Sequence, residues 1–509
     1  MAFPPIAIVG RASVLPGALS PAELWDKVVA REDLISTCPE DRWRLPWRFI
    51  TDDPSGAATR IASKRGGYVD GFAKVFDPTG FALDADFVRA LDPAAQWVLH
   101  AGRAALADAG ADLAASGSRA GAIMGNLCYP SESQVRFAEA YWLDRQRAAW
   151  APDDPRALAG VDGGIPENRF SSGLPAHLLA RALGLDAGAF ALDAACASAL
   201  YAVKLACDWL HAGRADVMLA GAVNRCDDLF IHAGFTALQA LSPSGRRRPF
   251  HRGADGLVPA EGAAFVVLKR LDDAVRDRDR ILGVIRGVGL SNDGRAQGLL
   301  VPSEHGQVRA IEQAYQRAGL APSDISLIEC HATGTVVGDA TEVRSMSRVY
   351  AGLGDVPLGS LKSNIGHAIT VAGLAGLLKV LGAIEHATRP PTLWTDEPID
   401  ALADSPFRLL TEAEPWVTDG PRRAAVSAFG FGGNNAHLLV EEWQPVRRLV
   451  AVHASTPPRG QVAIVGVGAR VGKGRSRDAF AEAVFAGAPE VHGEAGAPAE
   501  TVELPIVGL

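Results

Sequence analysis

Three side chains in this sequence could together carry out acyl-transfer chemistry: one thiol, Cys196, and two imidazoles, His331 and His367. Cys196 follows an apolar run, residues 188–192, that is typical of a buried strand, and a helical pattern follows over residues 197–211. A thiol at such a turn lies near the positive end of the helix dipole, and we expect this position to lower its pKa. A free cysteine taken alone is more often a core residue. The case for chemistry therefore depends on the histidines.

Both histidines occupy positions where α/β folds collect their sites. His331 directly follows a predicted strand over residues 325–330, and the carboxyl ends of strands are where such folds bind ligands. His367 immediately precedes a predicted helix over residues 368–386, and Lys362 brings a cation to the same loop. Each histidine alone is more often structural than catalytic. Together with the cysteine they predict one site.

A glycine-rich loop near the end of the pattern could serve the same site. It reads Phe429-Gly430-Phe431-Gly432-Gly433-Asn434-Asn435. Glycines permit backbone conformations that other residues avoid, so backbone N–H groups here could approach a reacting oxygen, and Phe431 could close an apolar tunnel. The loop lacks the Lys-Ser/Thr ending of a phosphate-binding loop and does not match GxGxxG. No GxSxG elbow accompanies Ser242 with His251 or Ser363 with His367, which disfavours a serine hydrolase.

Composition excludes several other classes of protein. The chain has 509 residues, of which 48% are hydrophobic and 21% charged, and a formal net charge of −8. That charge disfavours a general nucleic-acid binder. The sequence has no apolar run long enough to cross a membrane and its start has no secretion signal, so we expect a cytoplasmic protein without a membrane partner. The six cysteines lack CxxC pairs, which predicts reduced thiols and no metal site.

Strands alternate with helices over about 440 residues, which predicts an α/β protein with layered helix–sheet packing. Ser20 and Pro21 read as the N-cap and first residue of a helix that runs to about Arg31. The predicted strands are residues 6–10, 120–125, 188–192, 215–223, 261–268, 281–290, 325–330, 424–429 and 437–441. The other predicted helices are residues 86–110, interrupted at Asp92-Pro93, and residues 197–211, 308–319, 340–350 and 368–386.

The opening of the chain recurs near its end. The run Ile6-Ala7-Ile8-Val9-Gly10 reappears as Val462-Ala463-Ile464-Val465-Gly466, and a helical pattern follows each copy. Residues 446–461 between the copies have the composition of a linker. We therefore expect a first unit over residues 1–445 and the start of a second, similar unit over residues 462–509. Chance is a fair competitor, because strand-Gly-helix openings are common in α/β proteins.

Five ordered motifs give residues 5–442 a resemblance to the β-ketoacyl synthase family, the condensing enzymes of fatty-acid and polyketide synthesis. The motifs are Asp193-Ala194-Ala195-Cys196-Ala197-Ser198, Gly256 with Glu261-Gly262, His331-Ala332-Thr333-Gly334-Thr335 with Gly338-Asp339 and Glu342, Lys362-Ser363-Asn364-Ile365-Gly366-His367, and Gly430-Phe431-Gly432-Gly433-Asn434. The resemblance implies the thiolase fold, with similar halves of about residues 1–270 and 271–445 in five α-β-α-β-α layers. In style the motifs resemble modular polyketide synthases and polyunsaturated-fatty-acid synthases, in which a chain-length-factor-like unit follows the ketosynthase.

The resemblance also implies roles and partners. Cys196 would be the acylated nucleophile, His331 and His367 would stabilise the enolate, and the backbone N–H groups of Cys196 and Phe431 would form the oxyanion hole. Further positions carried over from the family are Lys362 and Glu342 as a supporting ion pair and Thr333, Thr335, Phe431 and Asn434 as substrate or pantetheine contacts. The family needs no bound cofactor or metal. Its substrates ride on the phosphopantetheine arm of an acyl carrier protein, and its members pair across a sheet edge, here with a second copy or with a chain-length-factor-like unit.

Two alternatives and one departure accompany this resemblance. A thiolase acting on coenzyme A esters shares the fold but typically keeps a second acid/base cysteine, and Cys330 does not stand in a matching loop. A non-catalytic chain-length-factor-like scaffold would be expected to lack the nucleophile. The departure is Ala332, where the family usually has glycine. If that position requires a positive φ, an alanine there would strain the loop.

Overall fold

The computed structural model describes residues 3–39, 42–43, 61–111, 117–128, 134, 165–170, 172–225, 230–295, 301–445, 463–470 and 476–487. The chain forms two compact units, Met1–Ala454 and Ser455–Leu509. The predicted linker, residues 446–461, lies outside the described residues, as do Cys226 and most of the polar stretch from residue 129 to 164.

Within the described residues of the first unit, eleven strands form one mixed sheet. They are β1 (Ile6–Val14), β2 (Ala120–Asn126), β3 (Gly188–Leu192), β4 (Val217–Asn224), β5 (Gly262–Arg270), β6 (Gly283–Asn292), β7 (Ile328–Glu329), β8 (Val356–Gly359), β9 (Phe407–Leu409), β10 (Arg423–Phe429) and β11 (Asn434–Glu441). Their order across the sheet is β9-β8-β7-β10-β11-β6-β1-β5-β4-β2-β3.

This order contains the same arrangement twice. Strands β1 to β5 lie in the order first, fifth, fourth, second, third, and β6, β7, β8, β10 and β11 repeat that order in the other half. The halves meet where β1 runs antiparallel to β6, with Ile6 opposite Ile285. A fold of two similar halves is therefore visible in the topology itself.

Helices pack on the two halves of the sheet in three layers. The helices of the first unit are α1 (Pro21–Val29), α2 (Ala85–Ala90), α3 (Pro93–Asp108), α4 (Leu174–Leu183), α5 (Ser198–His211), α6 (Phe230–Ala237), α7 (Leu271–Asp277), α8 (Glu304–Ala318), α9 (Val336–Val349), α10 (Lys362–Ile365) and α11 (Ala372–Glu385). Helices α3 and α4 pack on the outer face of the first half and α8 and α9 on that of the second. Helices α5 and α11 share a core with strands of both halves, which makes the expected five layers.

Local sequence explains where these helices begin. The Ser20 side chain accepts a hydrogen bond from the backbone N–H of Glu23 at 3.2 Å, and Pro21 is the first residue of α1. The predicted break at Asp92-Pro93 separates α2 from α3. Helix α11 is small-residue and buried from Ala372 to Ile384, as its position between the two halves requires.

Two local predictions need correction, and several elements were not predicted. Strand β3 lies at the edge of the sheet with all five residues half-buried, so it is not a buried strand. The strand predicted over residues 325–330 is reduced to Ile328–Glu329. Strand β8 and helix α10 were not predicted, because elements of four residues are too short to show periodicity. Helices α4, α6 and α7 were also not predicted.

In the second unit a capped helix lies 456 residues after α1, but the described residues 463–470 do not form a strand corresponding to β1. Helix α12 spans Arg477–Phe485, and its cap Ser476 accepts from the backbone N–H of Ala479 at 3.2 Å, as Ser20 does from Glu23. In α1 the apolar face is buried, whereas no residue of α12 is. The preceding segment is equally open: Ile464 is 85% and Val465 96% exposed.

Candidate active site

Cys196 lies in a single 3-10 turn, Ala195–Ala197, between β3 and α5. The residue before it, Ala195, has a φ of 50°, a left-handed conformation that is unusual for a residue with a side chain. The Ser198 hydroxyl holds this turn, because it donates to the Ala195 carbonyl at 2.6 Å and accepts from the Ala194 N–H at 2.9 Å. The turn is therefore built to present the thiol, which is 3% exposed.

The thiol and both predicted imidazoles meet at one point. The Sγ atom of Cys196 lies 3.0 Å from Nε2 of His367, and the rings of His331 and His367 stand edge to face with centroids 5.3 Å apart. One ligand atom from each of the three residues lies within 4.8 Å of the other two. These groups are far apart in sequence, and only the fold brings them together.

Two buried carboxylates hold the loop that carries His331. Glu342 accepts the backbone N–H groups of His331 and Ala332, each at 2.7 Å. Asp339 accepts those of Thr333 at 3.0 Å and Phe250 at 2.8 Å. Both carboxylates project from α9, so the helix fixes the position of the first imidazole.

The expected Lys362–Glu342 ion pair is not formed between these two described residues. Lys362 Nζ instead donates to the Cys330 carbonyl at 3.4 Å, and the Glu342 oxygens bind backbone N–H groups. The buried ion pair of this region joins Lys379 to Glu329 at 2.7 Å, with both side chains 3% exposed. The other Glu329 oxygen accepts the Leu361 N–H at 2.7 Å, which anchors the loop leading to His367.

The glycine-rich loop packs directly on the cysteine turn. A Cβ atom at Gly430 would lie 2.7 Å from the Ala194 carbonyl oxygen and 3.1 Å from the Cys196 nitrogen, so only glycine fits. This approach places the Phe431 N–H where it stabilises the Cys196 sulfur. The Phe431 ring packs near Phe235, with centroids 5.7 Å apart.

Burial sets the protonation states of the site. It raises the pKa of Cys196 to about 11, outweighing the lowering by the Phe431 N–H and by Lys362. The expectation of a lowered thiol pKa was wrong, because the loss of water around the sulfur exceeds the effect of the helix end. Burial, and then the Lys362 charge, holds the pKa of His331 and His367 well below the usual range. The resting site therefore pairs a neutral thiol with neutral imidazoles.

The second ring nitrogen of each histidine is free of protein partners. Within the described residues, Nδ1 of His331 and Nδ1 of His367 are buried and make no hydrogen bond. A histidine tautomer is usually fixed by the partner of its second nitrogen. Here no such partner fixes it, so Nε2 can accept a proton in one step and donate a hydrogen bond in another.

The three groups open into a cavity of about 370 Å³. Thr333 and Thr335 line it, with their hydroxyl oxygens 3.2 Å apart, and so does Phe431. Asn434 does not line it. The side chain of Asn434 accepts from Asn292 at 3.0 Å, and its neighbour Asn435 lines the wall instead.

The departure at Ala332 carries no strain. Ala332 is absent from the residues with positive φ, whereas Gly334, two positions later, has a φ of 81°. Ala332 is 1% exposed and its carbonyl accepts the Ser360 hydroxyl at 3.2 Å. The condition under which alanine would disturb the loop is therefore not met.

Sequence reasoning missed several residues of this site. Asp339 stands out in the sequence only as part of a motif. The sequence pattern predicts no role for Glu329, Lys379, Gln307 or Asn435. Spacing signals none of them, because each acts through a contact with a distant part of the chain. Gly430 could have been found, since a glycine beside a predicted oxyanion hole indicates a close backbone approach.

Comparison with known proteins identifies the family. Residues 4–274 match the profile "Beta-ketoacyl synthase, N-terminal domain" and residues 282–396 match "Beta-ketoacyl synthase, C-terminal domain". The chain belongs to the β-ketoacyl synthase family. Its members are acyltransferase-type condensing enzymes, and the predicted thiolase-like α/β fold is confirmed by solved ketosynthase structures.

The curated relatives of this chain are much larger synthases. It is 36% identical over 471 residues to a mycocerosic acid synthase-like polyketide synthase of Mycolicibacterium smegmatis, covering 91% of this chain and 21% of that protein. It is 36% identical over 466 residues to the phthioceranic/hydroxyphthioceranic acid synthase of Mycobacterium tuberculosis, covering 90% of this chain and 21% of that one. The chain thus spans about a fifth of the length of these curated relatives.

Two solved structures share its architecture. The PfaC keto synthase–chain length factor superposes with a TM-score of 0.87 at 36% identity, covering 95% of this chain and 52% of that one. The ketosynthase from module 6 of the bacillaene synthase of Bacillus subtilis 168 gives a TM-score of 0.74 at 33% identity, covering 87% and 72%. None of the helices that the structure describes has the length and apolar character needed to cross a bilayer.

Proposed function

We propose that this chain catalyses decarboxylative Claisen condensation between an acyl group on Cys196 and a malonyl group carried by an acyl carrier protein. The observation that carries the proposal is the 3.0 Å contact between the Cys196 sulfur and His367 Nε2, with the His331 ring beside it and the cavity in front.

The first half-reaction loads the enzyme. The Cys196 thiol gives its proton to His367 Nε2 as the sulfur attacks the carbonyl of an acyl thioester. The resulting oxyanion accepts hydrogen bonds from the backbone N–H groups of Cys196 and Phe431. When the carbon–sulfur bond to the carrier breaks, the carrier thiolate recovers the proton from His367. A neutral thiol at rest is compatible with this step, because the base lies within hydrogen-bond distance.

The second half-reaction forms the carbon–carbon bond. A malonyl thioester loses carbon dioxide, and the electron pair of the broken bond becomes an enolate whose oxygen accepts N–H hydrogen bonds from His331 and His367. Such donors are each worth on the order of 3 kcal/mol. The enolate carbon attacks the acyl-Cys196 carbonyl, and the Cys196 thiolate leaves and takes up a proton from solvent. The product is a β-ketoacyl thioester two carbons longer.

The proposed reaction needs no cofactor bound to this chain, because decarboxylation of the malonyl group supplies the carbanion. We infer that the phosphopantetheine arm of an acyl carrier protein enters past Thr333 and Thr335. In this proposal Lys362 and Glu342 support the histidine loops separately, one through the Cys330 carbonyl and one through backbone N–H groups. Among the residues that the structure describes, no disulfide joins any of the five cysteines, which suits a reducing compartment such as the cytoplasm.

Mass spectrometry of the intact protein after incubation with an acyl-carrier thioester tests the assignment. Wild type gains the acyl mass and Cys196→Ala gains none, whereas His367→Ala loads slowly, because the base is missing, and forms no condensation product. Cys128→Ser is the matched control, because it removes an exposed thiol instead of the buried one. If Cys196→Ala loaded acyl groups at the wild-type rate, the assignment of Cys196 as the nucleophile would be wrong.

The same assay separates the competing classes. A chain-length-factor-like scaffold would give no adduct at all. A thiolase would load but would release no carbon dioxide from malonyl-carrier protein. Release of labelled carbon dioxide that depends on both His331 and His367 would favour the synthase.

We also propose the domain arrangement: a ketosynthase over residues 1–445 with halves of about 1–270 and 271–445, a linker over 446–461, and the start of a second ketosynthase-like unit over 462–509. The constant offset between α1 and α12 supports it, and the name of the PfaC relative pairs a keto synthase with a chain length factor. A chain ending at Ala454 should load acyl groups like the full chain. Loss of loading would argue against a self-contained first unit.

A further inference from the structure

Gln307 is a buried polar side chain in the cavity wall, and the proposed mechanism gives it no role. It lies in the first turns of α8, is 2% exposed, and lines the same cavity as Cys196 and Phe431. Its Oε1 atom is buried and has no hydrogen-bond partner among the described residues. A buried carbonyl left without a donor costs about 1–3 kcal/mol. Native proteins rarely retain such a group unless a ligand or water supplies the donor.

The polar side chains near the glycine-rich loop already form hydrogen bonds with other residues. The Asn435 amide donates to Asp293 at 2.7 Å and to the Gly433 carbonyl at 3.1 Å. Asp293 in turn accepts from the Ser303 N–H at 3.1 Å. Rearranging these side chains to satisfy Gln307 would break bonds that hold the glycine-rich loop. Since the described residues leave no donor for Gln307, we look for the donor in a molecule that enters the cavity.

The cavity leads from the thiol to an apolar rim. Cys196 is 3% exposed, whereas Val301 is 43%, Val336 62% and Val337 59% exposed, and all four line the cavity. A thioester that reaches Cys196 from solvent must extend its arm past these walls. If the proposed function holds, that arm is a pantetheine, which carries two secondary amides, each with an N–H donor.

We propose that Gln307 binds the pantetheine arm by accepting a hydrogen bond from one of its amide N–H groups. The inference rests on the proposed function and adds a substrate-binding residue to it. Gln307 recognises the carrier arm and not the acyl group, so it should act on every acyl substrate alike. It should also distinguish thioesters that contain amides from those that do not.

Truncated substrates test this directly. Acyl loading is measured as kcat/KM with an acyl-pantetheine thioester, the N-acetylcysteamine thioester, which keeps one amide, and a simple alkyl thioester, which keeps none. Gln307→Leu should lower kcat/KM for the pantetheine thioester by about three- to tenfold, the range expected for one hydrogen bond, and leave the alkyl thioester unchanged. The N-acetylcysteamine result shows which amide is bound.

Matched variants keep the test sharp. Gln307→Glu retains an acceptor and should recover most of the preference for the amide-containing thioester. Gln313→Leu removes a glutamine of the same helix whose oxygen accepts from the Leu290 N–H at 2.9 Å, and it should not alter the preference. Circular dichroism checks that each variant folds.

Three outcomes would overturn the inference. Equal losses for all thioesters in Gln307→Leu would assign the residue to packing. Equal rates to wild type would mean that water satisfies the carbonyl. Wild type that loads none of the thioesters would refute the proposed function itself, which is distinguishable from a wild type that loads all three without an effect of Gln307.

Discussion

At the scale of single residues, the site keeps the proposed nucleophile, Cys196, as a protonated thiol. Burial raises the pKa of Cys196 to about 11 and holds that of His367 well below its ordinary value. A charged thiolate–imidazolium pair is thus disfavoured at rest. The 3.0 Å contact lets the proton move only when a carbonyl approaches the sulfur.

This protonation state predicts the pH dependence of thiol alkylation. Because only the thiolate reacts and its pKa is raised, the rate of inactivation by iodoacetamide should climb about tenfold per pH unit from about pH 6 to about pH 9. The rate of adduct formation at Cys196, followed by mass spectrometry, measures it. A plateau near neutral pH would mean that a thiolate–imidazolium pair already exists.

The sequence could predict the residue types but not their electrostatics. Cys196, His331 and His367 stand out because each follows a strand or precedes a helix. The thiol pKa depends on water excluded by segments distant in sequence, among them the loop carrying Phe431. The partners of Lys362 and Glu342 likewise depend on side-chain directions that a motif does not contain.

At the scale of elements, the glycine-rich loop is fitted to the cysteine turn. Gly430→Ala should push the Phe431 N–H away from the oxyanion and slow acyl loading by about 10²–10³-fold, the usual effect of losing one such donor. Loading kinetics followed by mass spectrometry check this.

Gly432→Ala is the control, since a Cβ there meets no atom within 4 Å. Its φ of 78° should cost about 1 kcal/mol of stability while loading persists. Equal loading by both variants would contradict the proposed role of the loop.

The Glu329–Lys379 ion pair links β7 to α11 and should matter for stability. Glu329→Gln leaves a buried ammonium without its partner, so the free energy of unfolding should fall by about 3–5 kcal/mol. Denaturant unfolding measures the change. Adding Lys379→Met to that variant should restore part of the loss, and a double variant less stable than the single one would contradict this account.

Element prediction succeeded for most of the long elements, although the ten-residue helix α4 was not predicted. Long periodic elements such as α3, α5 and α11 were predicted within a few residues, because each shows several turns of pattern. Strand β7 is reduced to two residues and β8 comprises four, too short for a period to appear. Strand β3 was wrongly predicted to be buried, because an apolar run of residues does not distinguish a central strand from an edge strand.

At the scale of the whole molecule, we propose that a second chain pairs at that edge. The half-buried residues of β3 end the sheet of the described first unit, and unpaired edges invite strand addition. We expect copies to pair there, in line with the proposed family arrangement. Ala189→Lys would set like charges against each other across the pair.

Analytical ultracentrifugation measures the outcome. Wild type should sediment as a two-chain species at micromolar concentration and Ala189→Lys as single chains. Val275→Lys, a change at a residue of α7 that is 47% exposed, is the control and should leave pairing intact. An unchanged sedimentation coefficient in Ala189→Lys would place the interface elsewhere.

The twofold repetition of strand order has a consequence for how this chemistry arose. The thiol stands beyond the third strand of the first copy, and His331 and His367 belong to the second copy, beyond its second and third strands. The corresponding turn after β8 carries Lys362 and Ser363 in place of a thiol. The two similarly ordered halves thus supply different groups, one the sulfur and the other both imidazoles, so the proposed reaction needs both.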